Sequence, residues 1–224
     1  KHTHPHPEWT NTQAYEDVLR AVYDTVKSFG DDRIVMQNTC TGILPSHWAY
    51  CDSQMLEAFP YGGDSPALRQ PWSELQWHMA RQAEAVAHGK VPVVLSYLGA
   101  GTSEQIRDAG LLSRAYTAMA GFLWADALGL RDVAAAQSFV QELYTARLGK
   151  PTGPVQQADG ATYRTFERGI AVVNPLPWSV TLSIPWQGEG TLHDVCMGRD
   201  LEVRDPVVQL EIEGDSGRLL ECRP

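Results

Sequence analysis

The first part of the chain alternates between two hydrophobic patterns. Apolar residues that recur every three or four positions predict helices over 11–29, 73–88, 103–120 and 131–148. Short runs that are apolar on both faces lie between them and predict strands over 33–38, 53–59, 91–97 and 122–125. In the first helix, the residues expected to face inward are Tyr15, Val18, Leu19, Val22, Val26 and Phe29.

Strands that are apolar on both faces and separated by helices are typical of a parallel sheet covered by helices. Because such crossovers usually join neighbouring strands, we expect the four strands to be parallel and adjacent in chain order. Four βα units are too few to close an eight-stranded barrel. The sequence therefore predicts the C-terminal half of a (β/α)8, TIM-type barrel over residues 1–149.

After Gly149 the hydrophobic period falls to two. Residues 150–160, rich in proline and glycine, are expected to form a linker. Short alternating runs separated by turn residues fill 161–224, which predicts a small antiparallel β-sandwich domain. The predicted fold class is therefore α/β, a half-barrel followed by a β-sandwich.

Half a barrel leaves two sheet edges and one apolar face uncovered. We expect the missing N-terminal half of the barrel, or a second copy of the chain as a homodimer partner, to cover them. Preceding residues of the same chain are the favoured source of that half, since the sequence starts abruptly in a loop at Lys1.

Charge and cysteine content narrow the function only in part. The 224 residues carry a formal net charge of −9, which argues against nucleic acid or an anionic membrane as a partner but suits an uncharged carbohydrate. Cys40 and Cys51, like Cys196 and Cys222, could form a disulfide or remain as thiols. Both an extracellular and a cytoplasmic location therefore stay open.

The carboxyl ends of the predicted strands carry the candidate chemistry, because parallel barrels place their working residues there. Glu57 ends the second strand and is the candidate catalytic carboxyl group, since glycoside cleavage requires a carboxyl pair flanking the bond. Aromatic faces pack against sugar rings, whereas amides and carboxylates bind their hydroxyl groups. The candidate substrate-binding residues from these strands and loops are Asn38, Trp48, Tyr61, Tyr97, Trp124 and Asp126.

Each of these residues also has a purely structural interpretation. Glu57 could pair with a nearby arginine, and the tryptophans and tyrosines could belong to the core. Asp126 could cap the start of a helical turn.

The N-terminal segment carries two alternating histidines, His4 and His6, followed by Trp9. Such spacing occurs at metal sites, but no further ligands can be identified. We therefore expect no metal and no cofactor, and expect these three side chains to line a substrate cleft.

Three segments resemble bacterial glycoside hydrolases that have a TIM-barrel catalytic domain and a C-terminal β-sandwich. Residues 149–175 resemble their junction between barrel and sandwich, residues 55–61 resemble a barrel strand, and residues 4–9 resemble the loop after an earlier strand. The resemblance implies that Glu57 is the acid/base, and that an aspartate on a strand absent from this sequence is the second carboxylate. The alternative is a non-catalytic, carbohydrate-binding barrel protein.

Overall fold

The computed structural model describes residues 11–39, 45–57, 72–96, 103–120, 123–126, 142–143, 145–188, 190–195, 197–201, 203 and 206–223. Its first part contains α1 (Asn11–Lys27), β1 (Met36–Asn38), a short 3₁₀ helix (Pro45–Tyr50), β2 (Ser53–Glu57), α2 (Trp72–Ala87), β3 (Val91–Ser96), α3 (Ser103–Ala120) and β4 (Leu123–Asp126). Of the predicted helix over 131–148, the structure describes as helical only residues 142, 143 and 145.

The four strands of this part form one parallel sheet in the order β1-β2-β3-β4. Met36 pairs with Ser53, Ser53 with Val91, and Val93 with Leu123. The expectation of parallel strands adjacent in chain order is therefore confirmed. Both β1 and β4 are edge strands of the sheet as far as the described residues extend.

The apolar side of α1 is not buried as the sequence pattern predicts. Among the described residues this helix mainly touches the 3₁₀ helix, where the Tyr15 ring lies 5.3 Å from that of His47. The prediction of an inward-facing apolar side is therefore wrong for most of its members, because no described residue covers them. The large apolar side chains left exposed on α1, in the segment after it and at the start of β1 are Tyr15, Val18, Val22, Phe29, Ile34 and Met36.

The second part of the chain is antiparallel. Its strands are β5 (Gln156–Ala158), β6 (Ala161–Phe166), β7 (Gly169–Asn174), β8 (Val180–Pro185), β9 (Thr191–Asp194), β10 (Arg199–Leu201), β11 (Val207–Ile212) and β12 (Ser216–Arg223). They form a six-stranded sheet in the order β10-β9-β12-β7-β6-β5 and a two-stranded sheet of β11 and β8. The segment predicted to be a linker, 150–160, instead contains β5, which is an edge strand of the larger sheet.

The two antiparallel sheets enclose a hydrophobic core between them. The smaller sheet contributes alternating residues such as Leu182, Ile184, Leu210 and Ile212, in keeping with one buried face. In the larger sheet, all six residues of β7 are buried, so both faces of this strand are covered.

The second face of β7 and β12 is covered by α3. Gly217 on β12 allows close approach, since a Cβ at this position would lie 2.9 Å from the Leu111 carbonyl oxygen and 3.0 Å from the Ala115 Cβ. Arg164 on β6 donates a hydrogen bond of 2.7 Å to the carbonyl oxygen of Met119, in the last turn of α3. That contact supplies a partner for a helix-end carbonyl group and places positive charge at the negative end of the helix dipole.

A half-buried ion pair connects the end of α1 to the residue before β2. One carboxylate oxygen of Asp52 accepts hydrogen bonds from the Val35 backbone N–H at 2.8 Å and from Lys27 Nζ at 3.0 Å. Burial alone would raise the pKa of Asp52, but these hydrogen bonds, together with the positive charges of Lys27 and Lys90, outweigh burial and hold the pKa below its ordinary value. No described helix is both long and apolar enough to cross a bilayer.

The contact between α3 and β12 predicts a steric penalty at Gly217. A Gly217→Ala substitution should lower the free energy of unfolding by about 1–3 kcal/mol, because the added methyl group pushes against the backbone of α3. Gly153→Ala is the matched control, since a Cβ there meets nothing within 4 Å. Denaturant unfolding of both variants measures the difference, and equal stabilities would contradict the close contact.

The Asp52 contacts predict a pH-dependent contribution to stability. Since the pKa of Asp52 is lowered by folding, its contribution is present at pH 7 and is lost as the pH falls through the folded-state pKa. Asp52→Asn should therefore be less stable than the parent at pH 7, and the difference should shrink below about pH 4. Asp32→Asn, at a side chain that is 81% exposed, is the control expected to change stability little. A difference for Asp52→Asn that is independent of pH would contradict this assignment.

Candidate functional site

Glu57 is the last residue of β2, at the carboxyl end of the parallel sheet. The preceding residue, Leu56, is buried at 1% exposure and pairs with Val94, which is fully buried. Because successive side chains of a strand point to opposite faces, Glu57 lies on the face opposite to Leu56. Its side chain is half-buried.

The face that carries Glu57 is the one turned away from α2. Trp48, which contacts Gln54 of β2, packs against Cys51 and against Ala85 of α2, so Gln54 and Leu56 point towards that helix. Ser53, Met55 and Glu57 alternate with them and occupy the other face. In a closed barrel this second face is the one directed to the barrel interior.

Asn38 is positioned directly beside Glu57. It ends β1, and its side-chain Nδ2 donates a hydrogen bond to Glu57 Oε1. The next residue, Thr39, donates from its backbone N–H to the Met55 carbonyl oxygen at 2.9 Å, which keeps the chain along β2 past the end of the strand. The structure thus brings two of the predicted site residues, Asn38 and Glu57, into contact at the carboxyl ends of adjacent strands.

Trp48 has a packing role in this structure. Its ring is 8% exposed, and its centroid lies 4.7 Å from that of the His88 ring. Its Nε1 donates a hydrogen bond of 3.2 Å to Gln54 Oε1, and Gln54 in turn donates to Gln37 Oε1 at 3.3 Å. This places Trp48 on the helix-covered side of the sheet, away from Glu57, and little of its ring is open to a ligand.

Five of the remaining candidate site residues are not described by the structure. His4, His6, Trp9, Tyr61 and Tyr97 lie outside the described residues.

The backbones of Trp124 and Asp126 belong to β4, opposite Val94 and Ser96 respectively. Glu57 pairs in register with Leu95, and Leu95 with Ala125. Glu57, Leu95 and Ala125 therefore lie side by side across the sheet, and Asp126 is the residue that follows Ala125 on β4.

Neither cysteine chemistry nor a metal centre is evident in the described part of the chain. Cys51 is a fully buried free thiol 3.5 Å from the His47 carbonyl oxygen, and burial raises its pKa to about 11. Such a thiol is protonated at neutral pH and is a poor nucleophile. The described residues contain no group of three or more histidine, cysteine, aspartate or glutamate side chains that could hold a metal ion.

Solved structures that resemble this chain include several glycoside hydrolases. A GH27 β-L-arabinopyranosidase from Geobacillus stearothermophilus matches 94% of this chain and 54% of its own, with a TM-score of 0.61 and 12% identity. An Anoxybacillus α-amylase matches 93% and 57%, with a TM-score of 0.58 and 11% identity. The α-galactosidase I of Mortierella vinacea matches 99% and 66%, with a TM-score of 0.55 and 11% identity.

These similarities establish a shared fold, and the chain spans about half to two thirds of the length of the matched proteins. No protein-family profile matches the sequence. No curated protein matches it either.

The position of Trp48 predicts that its substitution affects stability and not ligand binding. Trp48→Phe removes the donor to Gln54 within a buried network, which should lower the free energy of unfolding by about 1–3 kcal/mol. Denaturant unfolding tests the first effect, and titration with D-galactose, L-arabinose and maltose tests the second. A stable variant with weakened saccharide binding would instead return Trp48 to the substrate site.

Proposed function

We propose that this chain is the C-terminal portion of a glycoside hydrolase with a (β/α)8-barrel catalytic domain, in which Glu57 is the general acid/base. The observation that carries the proposal is the position of Glu57. It ends a parallel strand on the face turned away from the helices, and the Asn38 amide contacts it. Catalytic residues of such barrels occupy this end of the strands.

The shared fold supports the barrel part of this proposal. Several GH27 enzymes, which combine a TIM barrel with a β domain, match nearly the whole chain but only part of their own length. The exposed apolar side chains on α1 and beside β1 fit a sheet that continues into further strands. The rest of the barrel would cover Val18, Val22, Ile34 and Met36 and would pair with β1, which is an edge strand among the described residues.

In this mechanism Glu57 protonates the glycosidic oxygen as the bond breaks. A second carboxylate then stabilises or attacks the anomeric carbon, and a separation of about 5–9.5 Å between the two groups would be needed. We assign that second carboxylate to the part of the barrel that precedes this sequence. Asn38 is a positioning residue, since its amide N–H donates to one oxygen of Glu57 and holds the carboxyl group at the end of the strand.

The remaining candidates complete the proposed substrate cleft. The residues proposed to bind substrate together with Asn38 are His4, His6, Trp9, Tyr61, Tyr97, Trp124 and Asp126. An uncharged glycoside suits the formal net charge of −9. The similar structures include an α-galactosidase, a β-L-arabinopyranosidase and an α-amylase, so galactosides, arabinopyranosides and α-glucosides are the first classes to assay.

The acid/base role predicts a dependence on the leaving group. In the full polypeptide, Glu57→Gln should lower kcat for unactivated glycosides by about 10²–10⁴-fold, because the proton donor is lost while the shape of the side chain is kept. Dinitrophenyl glycosides should be cleaved far more readily by the same variant, since their leaving group needs no protonation. Steady-state kinetics on matched pairs of galactosides, arabinopyranosides and α-glucosides measure both effects.

Glu84→Gln provides the control for this experiment. Glu84 is a half-exposed residue of α2 that pairs with Arg81 at 3.0 Å, so its substitution should leave both substrate classes unaffected. Turnover unchanged in Glu57→Gln would remove Glu57 from the mechanism. Saccharide binding without turnover in the parent protein would favour a non-catalytic, carbohydrate-binding barrel protein instead.

A further inference from the structure

The contact between Asn38 and Glu57 depends on how β1 lies against β2. β1 has only the three residues Met36–Asn38, and β2 is its one neighbour among the described strands. The last register pair joins Asn38 to Met55, so the ladder stops two residues short of Glu57. The end of a short edge strand opens easily, because few hydrogen bonds must break. A contact beyond the ladder is therefore needed to hold Asn38 beside Glu57.

Thr39 supplies such a contact. Its backbone N–H and its side-chain hydroxyl group both donate to the Met55 carbonyl oxygen, each at 2.9 Å. A carbonyl oxygen has two lone pairs, so it can accept both hydrogen bonds at once. The residue directly after Asn38 is thus joined twice to the strand that carries Glu57.

The threonine side chain is well suited to this bond. Its branched Cβ leaves few χ1 rotamers, so holding the hydroxyl group on the carbonyl oxygen costs little conformational entropy. The bond is partly buried, which limits competition from water. Valine has nearly the same shape but no donor, whereas serine keeps the donor. These two substitutions therefore separate the hydrogen bond from the packing.

The same sheet contains a second bond of this kind at its other end. The Ser53 hydroxyl group donates to the Val91 carbonyl oxygen and joins the start of β2 to the start of β3. Ser53 precedes Glu57 by four residues on β2, which is about 13 Å along an extended strand. Both bonds support the sheet, but only the one from Thr39 lies next to the contact between Asn38 and Glu57.

From these contacts we infer that Thr39 is a positioning residue of the proposed active site, and that it acts on Glu57 through Asn38. Its two bonds fix the backbone of β1 just after Asn38, whose side-chain amide then meets the Glu57 carboxyl group. Thr39 takes no part in proton transfer and does not contact the substrate. The inference rests on the proposed function, since it assigns Thr39 to the reaction of Glu57.

Kinetics of Thr39 variants of the full polypeptide test this role. Thr39→Val should lower kcat for unactivated galactosides, arabinopyranosides or α-glucosides about three- to tenfold, the range expected for one lost hydrogen bond, with KM little changed. Dinitrophenyl glycosides should be cleaved at nearly the parent rate, because their leaving group needs no protonation. Thr39→Ser should restore most of kcat. If Thr39→Val fails to fold, Thr39→Ala carries the same expectations.

Ser53→Ala is the matched control for this experiment. It removes the equivalent bond at the amino end of the sheet, so denaturant unfolding should show a loss of stability. The kcat values for both substrate classes should stay at the parent level, because the contact between Asn38 and Glu57 is untouched. Equal losses of kcat in Ser53→Ala and Thr39→Val would overturn the inference, since both would then reflect general weakening of the sheet.

A double-mutant cycle tests whether Thr39 acts through Asn38. In an Asn38→Ala background the contact with Glu57 is already absent. Adding Thr39→Val to this background should therefore cause no further loss of kcat. Losses that multiply, as expected for two independent effects, would contradict the inference.

Nuclear magnetic resonance separates failure of this inference from failure of the proposed function. The side-chain amide resonances that disappear in Asn38→Ala identify Asn38. Glu57→Gln should shift these resonances in the parent protein and shift them less in the Thr39→Val background. If Glu57→Gln keeps full activity, the proposed function is wrong, and this comparison alone then decides whether Thr39 positions Asn38. Equal shifts in the two backgrounds would overturn the inference even if Glu57 proves to be catalytic.

Discussion

The burial of α3 between two sheets is the contact on which the rest of the described structure depends. One side of this helix contacts β3, β4 and α2, and the other covers β7 and β12. From Leu111 to Met119 nearly every side chain is buried, including Ser113 and Thr117. A helix buried on all sides needs small and apolar residues throughout, and the approach of Gly217 shows how little space remains.

This contact joins the parallel and the antiparallel parts into one packed unit. Arg164 links them by bonding the Met119 carbonyl oxygen and, at 2.9 Å, the Gly153 carbonyl oxygen. Burial lowers the pKa of Arg164, but the guanidinium group remains charged at neutral pH. The antiparallel part therefore packs against α3, which in turn contacts the parallel sheet.

The proposed chemistry follows from the two different faces of β2. Gln54 and Leu56 point towards α2 and are fixed by burial and hydrogen bonds, which sets the orientation of the strand. Glu57 must then occupy the opposite face, beside Asn38. The burial of one face of β2 therefore fixes the position of the Glu57 carboxyl group at the end of the sheet.

The sequence by itself determined the elements and much of their order. Periods of three to four residues located α1, α2 and α3, and runs apolar on both faces located four strands that proved parallel, because burial on both faces leaves a distinct pattern. It also singled out Asn38 and Glu57 as candidate site residues, from their positions at strand ends, and the structure brings the two into contact.

Other features were decided only by the tertiary structure. The sequence predicted that Trp48 binds substrate, but in the structure it packs beneath the sheet. Sequence alone cannot say which side of a sheet is covered by a residue that lies between two strands. The exposed apolar side of α1 and the pairing of β5 depend on which distant segments lie beside them. A cavity beside Trp186 combines residues from three strands and from three segments that adjoin them. Such long-range contacts leave no periodic signal in the sequence, so only the folded chain reveals them.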